Sequence, residues 1–117
     1  MENKKLNVLV VGAGMYVGGR GTPAYGTVIP ALNELYREGF IDTLCVAATS
    51  SKSIRELRKK VNVLRKITGT DIVVNGVPQK GSDTYAYKKA VSLYKPDCAI
   101  LVVPDHLHYK IAVDLIK

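Results

Sequence analysis

The chain has 117 residues, 47% of them hydrophobic, which suits one domain with its own core and is too short for two. Its apolar runs are shorter than the roughly 20 residues that cross a bilayer, and no signal peptide precedes the first strand. We therefore expect a cytoplasmic protein without a membrane partner. Cys45 and Cys98 lie within apolar runs, so we expect two buried thiols, no disulfide and no metal site.

The net charge of +7 is concentrated in one segment. Seven basic residues and a single acid, Glu56, lie between Lys52 and Lys66. This pattern predicts a helix with a solvated basic face. Because no RNA-binding motif or aromatic platform accompanies that face, we expect no nucleic-acid partner.

The first predicted element is the continuous apolar run that begins at Leu6 and ends in the turn Gly12-Ala-Gly14. A run without polar alternation is typical of a strand that is buried on both faces of a parallel sheet. We expect Val8–Val11 to form such a central strand, and Ala99–Val102 to form another beside it.

The rest of the chain alternates helices with strands. The predicted helices cover 26–38, with Pro30 in the first turn, then 53–68, then a helix capped by Ser82 or Asp83 that ends near Tyr94, and 106–117, capped by Asp105. The predicted strands between them cover 43–48, 71–74 and 98–103. This alternation predicts an α/β fold of one domain over residues 1–117, with a doubly wound, Rossmann-type parallel sheet in the order 3-2-1-4.

The glycine turn at the end of the first strand is typical of dinucleotide-binding sheets, where the backbone approaches a pyrophosphate. The simple Gly-x-Gly-x-x-Gly pattern fails at Val17, so either Gly18 is the third glycine of an expanded loop or an insertion precedes Gly26. We expect a dinucleotide to contact this segment, through Gly12, Gly14, Met15, Tyr16 and Gly18. Arg20 either contacts a phosphate or is a solvated loop side chain.

The end of the second strand indicates which cofactor is bound. NAD sites usually place a carboxylate there for the ribose 2′-hydroxyl, whereas NADP sites place basic and hydroxyl groups around a 2′-phosphate. Here Ser50, Ser51 and Lys52 follow the strand and no acid does. We therefore expect NADP or NAD, with a slight preference for NADP.

The segment that follows the fourth strand, Val103-Pro104-Asp-His106-Leu-His108, lies where the nicotinamide half of a cofactor would reach. We expect Val103, Pro104 and His106 to contact the dinucleotide. His106 and His108 are two residues apart and diverge on a helix, so they do not form a chelating pair.

Together, the Val-Gly-Ala-Gly turn, the Pro-Ala-Leu of the first long helix and the Val-Val-Pro-Asp-His-Leu-His-Tyr segment resemble the N-terminal domain of the Gfo/Idh/MocA oxidoreductases. The resemblance spans essentially the whole chain. It implies NAD(P)-dependent oxidation or reduction of a sugar, polyol or related hydroxy compound. Pro104, Asp105 and His108 correspond to the family's Thr-Pro-Asn-x-x-His motif, in which Val103 replaces the threonine. The resemblance implies that His108 contacts the substrate hydroxyl.

Members of that family also carry a Glu-Lys-Pro motif, whose lysine transfers a proton, and a C-terminal domain with the substrate pocket and oligomer interface. Neither is present before Lys117. The resemblance thus implies the cofactor-binding domain of a longer, homo-oligomeric enzyme, which alone binds a dinucleotide without turning over substrate. A non-enzymatic module that senses a dinucleotide would share the same motifs, and that alternative stays open.

Overall fold

Strands and helices alternate along the chain in a computed structural model that describes residues 5–116, apart from the side chains of Tyr16 and Asp105. Within that range the elements are β1 (Leu6–Val11), α1 (Met15–Gly18), α2 (Val28–Arg37), β2 (Ile41–Ala47), α3 (Ser51–Thr68), β3 (Val74–Val77), α4 (Ala86–Tyr94), β4 (Cys98–Leu101) and α5 (Asp105–Ile116).

The four strands form one parallel sheet in the order β3-β2-β1-β4. The predicted α/β class and strand order are confirmed. β1 lies between β2 and β4, with Leu9 opposite both Cys45 and Ala99. Because all four strands run the same way, their carboxyl ends lie at one edge of the sheet, where doubly wound folds bind their ligands.

Helices cover both faces of the sheet, which explains the continuous apolar run of β1. Val8 and Val10 pack with residues of α2 and α3 in one cluster, and Leu9 and Val11 pack with residues of α4 and α5 in the other. Successive side chains of a strand point to opposite faces, so a strand covered on both sides needs apolar residues at every position.

The fourth strand is less buried than the sequence predicts. β4 lies at the edge of the described sheet and pairs with β1 alone, Cys98 and Ala99 are exposed, and Ile100 and Leu101 are half-buried. The expectation that Ala99–Val102 is a central buried strand was therefore wrong, as was the expectation that both cysteines are buried. Cys45, on β2, is the buried one. A continuous apolar run does not reveal which strand of a sheet lies at its edge.

The third strand is displaced by three residues from its predicted position. The β-branched segment 71–74 suggested a strand, but the ladder with β2 runs from Leu44 opposite Val74 to Ala47 opposite Val77. A glycine inside the ladder permits this register, because a Cβ at Gly76 would collide with the Ile54 side chain of α3. Pairing with β2 and close contact with α3 thus override the local preference of the chain.

Helix starts also differ from the predictions. Neither Ser82 nor Asp83 is the N-cap of α4, which begins at Ala86. The Asp83 carboxylate accepts from the Tyr85 N–H just before this helix, Ser82 forms an isolated β-bridge with Ser50, and the Asp83 N–H donates to the Thr49 carbonyl oxygen at 2.8 Å. The loop before α4 is thereby tied to the end of β2. Asp105 is the first residue of α5 rather than its cap. Pro30 does lie in the first turn of α2, as predicted, and Lys117 lies outside the described residues.

Candidate functional site

A cavity of about 270 Å³ opens at the carboxyl edge of the sheet. Its walls come from the ends of β1, β2 and β4, from the start of α4 and from one face of α5. The lining residues are 11–14, 47–49, 84–87 and 102–104, together with Arg20, Ser53, Leu107, Lys110 and Ile111. The cavity lies where the sequence predicts a ligand site, between the first strand and its neighbours on both sides.

The glycine turn forms the centre of this wall, and its two glycines have different surroundings. Gly12 has a φ of +119°, and a Cβ there would collide with the Val102 carbonyl oxygen, so Gly12 allows β1 and β4 to end in contact. Gly14 has an ordinary φ of −88°, and no atom lies within 4 Å of the position its Cβ would take. A side chain at position 14 would therefore extend into open space beside the cavity.

The segment after the turn contains the two candidates for the third glycine of the Gly-x-Gly-x-x-Gly pattern, Gly18 and Gly26. A four-residue helix, α1, follows Gly14 directly, and the loop 19–27 separates it from α2. A Cβ at Gly18 would collide with the Leu57 side chain, so this glycine allows α1 to pack closely on α3. A Cβ at Gly26 would lie only 2.8 Å from the backbone nitrogens of Gly18 and Gly19. Gly18 thus acts as the packing glycine, and the extra residues lie between it and α2.

The loop 19–27 is fixed to α3 by two basic side chains. The Lys60 ammonium donates to the carbonyl oxygens of Thr22 at 2.5 Å and Ala24 at 2.7 Å. Arg20 donates from Nη1 to the Ser53 hydroxyl at 2.9 Å and pairs through Nε with the Glu56 carboxylate at 3.0 Å. The loop therefore lies against α3 beside the cavity instead of extending into solvent.

The three residues expected at the ribose end do not line the cavity. Ser50 caps α3 by accepting from the Ser53 N–H, and the buried Ser51 accepts from Arg55 at 3.2 Å. The Lys52 side chain is exposed. The polar residues that do line the cavity at this end are Thr49, Ser53 and Arg20.

The charged side chains that line this cavity, within the described part of the chain, are Arg20 and Lys110, and both are basic. Lys110 donates from Nζ to the Tyr85 hydroxyl at 3.1 Å, and this contact lowers the pKa of Tyr85. Tyr87 donates to the Asp114 carboxylate at 2.6 Å, and burial together with this bond raises the pKa of Tyr87 to about 12. Among the described side chains the wall has two cations, one of them paired with Glu56, and no carboxylate, which favours an anionic ligand.

The segment after β4 contributes to the cavity in part. Val103 and Pro104 line it, as predicted for contacts with a dinucleotide, and so do Leu107, Lys110 and Ile111 on α5. His106 and His108 are exposed on other faces of the same helix and do not line it. Residues 107, 110 and 111 share a helical face by their three- and four-residue spacing, and positions 106 and 108 lie off that face.

Of the other site residues predicted from sequence, some line this cavity and others do not. Gly12 and Gly14 line this cavity, whereas Met15 is exposed in α1 outside it and Gly18 lines a second cavity of about 470 Å³ between the glycine loop and α3. Tyr16 belongs to α1, but its side chain lies outside the described part. Of the described residues at the strand ends, the larger cavity is lined by Ala13 alone. We therefore place the candidate site in the smaller one.

Sequence reasoning missed the lining residues Thr49, Ser53, Tyr85 and Lys110. Nothing in the sequence showed which hydroxyl near the end of the second strand would line the cavity. The helical spacing from Leu107 to Lys110 and Ile111 could have indicated the inner face of α5.

Two searches of residues 5–116 concern other kinds of site. They contain no group of three histidine, cysteine or acidic side chains that could hold a metal ion. None of the helices in this range combines the length and apolarity needed to cross a bilayer.

Comparison of the chain with protein-family models, with curated proteins and with solved structures gives no match. The family resemblance therefore stays a prediction from the motifs.

Proposed function

We propose that this chain binds a nicotinamide dinucleotide, NADP or NAD, at the carboxyl edge of its sheet. It would do so as the cofactor-binding domain of an oxidoreductase acting on a sugar, polyol or related hydroxy compound. The observation that carries this proposal is the cavity in which the glycine turn meets the ends of β2 and β4, where the charged side chains among the described lining residues are Arg20 and Lys110. The substrate class comes from the motif resemblance alone.

The glycine turn suits a phosphate that approaches the backbone. Gly14 lines the cavity and leaves the space beside its Cα open. A pyrophosphate oxygen could contact the backbone N–H groups of this turn without meeting a side chain. Part of its charge would be balanced by Lys110, which lines the same cavity.

The apolar part of the wall suits an aromatic base. Ala47, Val103, Leu107 and Ile111 all line the cavity, and Tyr85 adds an aromatic ring. The volume of about 270 Å³ lies just below the range of roughly 300–1,000 Å³ common for small-molecule sites. The cavity can thus enclose one half of a dinucleotide while the other half lies along the open edge of the sheet.

When bound, the dinucleotide supplies the hydride chemistry, and the chain holds and orients it. His108 stays a candidate for substrate contact. It is exposed in α5, near the end of β4 but off the cavity wall, so its partner would be the substrate rather than the dinucleotide. A histidine held there could donate a hydrogen bond to a substrate hydroxyl or accept one from it.

The test is calorimetric titration of the chain with NADP and with NAD. We expect binding by the wild type and a loss of at least about tenfold in Gly14→Val, because the new side chain fills the space through which a phosphate approaches. The backbone of Gly14 is ordinary, so the variant should keep its circular dichroism and melting temperature. Ala31→Val, at an exposed position of α2, is the matched control. Absence of binding by the wild type, or equal affinity in folded Gly14→Val, contradicts the proposal.

A further inference from the structure

The guanidinium of Arg20 lies at the place where the second strand passes into its helix. Its Nη1 donates to the Ser53 hydroxyl, 2.9 Å away in the first turn of α3, and its Nε contacts Glu56 one turn later at 3.0 Å. A guanidinium has five N–H donors in a planar fork. These two contacts engage two of the five donors, and Arg20 is one of the residues that line the cavity.

Arg20 is held in this position from both ends. Its backbone belongs to the loop 19–27, which Lys60 fixes to α3 through the carbonyl oxygens of Thr22 and Ala24. Its guanidinium is held by Ser53 and Glu56, and its side chain is 47% exposed. A preorganised fork of this kind loses less conformational entropy when an anion binds than a free arginine does.

The second strand ends without a carboxylate in the cavity wall. In doubly wound sheets the ribose 2′-hydroxyl of the adenosine half lies at this point, where NAD sites place an acid. The wall here is formed by Ala47, Ala48 and Thr49. Arg20 lines both this cavity and the larger one, and Glu56, its ion-pair partner, lines the larger one. The group at this end that could receive a ribose substituent is therefore Arg20, a cation in contact with Ser53 and Glu56, with Thr49 in the same wall.

We propose that Arg20, with the hydroxyls of Ser53 and Thr49, binds the 2′-phosphate of NADP and so determines a preference for NADP over NAD. This inference rests on the proposed dinucleotide function and assigns the discriminating residue within it. It replaces Ser50, Ser51 and Lys52, the residues that the sequence suggests. In the structure Ser50 and Ser51 accept hydrogen bonds from Ser53 and Arg55 of α3, and Lys52 does not line the cavity.

The experiment compares ligand pairs that differ only in one phosphate. The affinities of NADP and NAD, and of adenosine 2′,5′-bisphosphate and 5′-AMP, are measured by calorimetry for the wild type, Arg20→Ala and Arg20→Gln. We expect the wild type to bind the 2′-phosphorylated member of each pair more tightly. Both variants should lose about 10- to 100-fold for that member, the range of a charge-assisted hydrogen bond, and change less than about twofold for the other. Arg20→Gln keeps a donor for Ser53, so it tests the charge if Arg20→Ala fails to fold.

Two further variants separate the alternatives. Lys66→Ala removes a charge from the far end of α3 and should leave both ratios unchanged, which controls for the general field of this basic helix. Lys52→Ala tests the residue that the sequence suggests, and it should also leave the ratio intact. A ratio lost in Lys52→Ala but kept in Arg20→Ala overturns the assignment. An equal loss of NADP and NAD affinity in the Arg20 variants also overturns the assignment, because it would mean that Arg20 only stabilises the loop 19–27.

The two proposals fail in different ways. If the wild type binds neither dinucleotide, the proposed function is wrong and the role of Arg20 is lost with it. If the wild type binds both but prefers NAD, or if the Arg20 variants keep the NADP preference, the function stands and the role of Arg20 is wrong.

Discussion

Lys110 of α5 contacts Tyr85, just before α4, in two ways: through a hydrogen bond to the hydroxyl and through a cation–π contact with the ring. The ammonium nitrogen lies 3.1 Å from the Tyr85 hydroxyl and 4.8 Å from the ring centroid, and Lys88 lies 4.9 Å from the same centroid. This pair connects two helices at the mouth of the cavity. It also places a cation beside a phenol whose deprotonated form it stabilises.

Tyr85 should therefore ionise at lower pH than a free tyrosine. The hydrogen bond from Lys110 lowers the pKa of Tyr85, with a smaller contribution from the charge of Lys88. Subtracting the ultraviolet pH titration of Tyr85→Phe from that of the wild type isolates this residue among the seven tyrosines of the chain. In Lys110→Met the isolated transition should move to higher pH. An unchanged transition in that variant would show that Lys110 does not contact the hydroxyl in solution.

The stability of the fold should decrease in alkaline solution, and Cys45 should contribute. Burial raises the pKa of the Cys45 thiol from 9.0 to about 12. Between these values the unfolded chain releases a proton that the folded chain keeps, so the free energy of unfolding falls as pH rises, at up to about 1.4 kcal/mol per pH unit. Tyr87 adds to this above pH 10.0, since its pKa is raised to about 12.

Denaturant unfolding of the wild type and Cys45→Ala at a series of pH values checks this linkage. The variant should be less stable near neutral pH, because it loses a buried side chain, but its stability should fall less steeply above pH 9. Parallel curves for the two proteins would mean that Cys45 does not carry the effect.

Leu9→Asp should unfold the domain. Leu9 is fully buried in the middle strand and packs with residues of α4 and α5. A carboxylate there has no partner, and the cost of several kcal/mol is comparable to the whole stability of a small domain, about 5–15 kcal/mol. Circular dichroism and thermal melting give the readout, with Leu93→Asp as the control at a position that is 67% exposed on α4. A cooperative melt near the wild-type temperature for Leu9→Asp would contradict the central position of β1.

His108→Ala should separate binding from catalysis. Because His108 does not line the cavity, the variant should bind the dinucleotide within about twofold of the wild type. Lys110→Ala, at a lining position two residues further along, should bind it more weakly. In the oxidoreductase that this domain is proposed to serve, His108→Ala should lower kcat more than it raises the Kd of the cofactor. Titration calorimetry and steady-state kinetics provide the two measurements. A large loss of dinucleotide affinity in His108→Ala would place the histidine at the cofactor instead.

The elements whose burial sets their residue pattern could be predicted from the sequence alone. The apolar run around Leu9 predicted a strand covered on both faces, and the resulting order of four parallel strands is confirmed. The position of β3 could not be read in the same way. Ile72 is buried and Val73 is exposed just before the strand, so their β-branched side chains indicate strand preference but not the register that contact with α3 imposes at Gly76.

The candidate site was predicted in outline and not in detail. The strand ends and the glycine turn that the sequence indicates do line one cavity, because topology places the ends of parallel strands together. The contact between Arg20 and Ser53 joins residues 33 positions apart through a loop without periodicity, so no local pattern could indicate it. Ser50 gives a second example. A serine at this position suits either an N-cap of α3 or a contact with the ribose, and only the structure shows that it is the N-cap.

The contrast between Gly12 and Gly14 has a consequence for how this chain can diverge over evolution. Gly12 has a positive φ and abuts the Val102 carbonyl oxygen, so any side chain at position 12 disturbs the protein itself. Gly14 has an ordinary backbone and open space around it, so the fold makes no demand for glycine there. Among descendants of this chain, glycine at position 12 should persist wherever the fold persists. If the proposed dinucleotide site is what requires glycine at position 14, this glycine should persist only in lineages that keep that site.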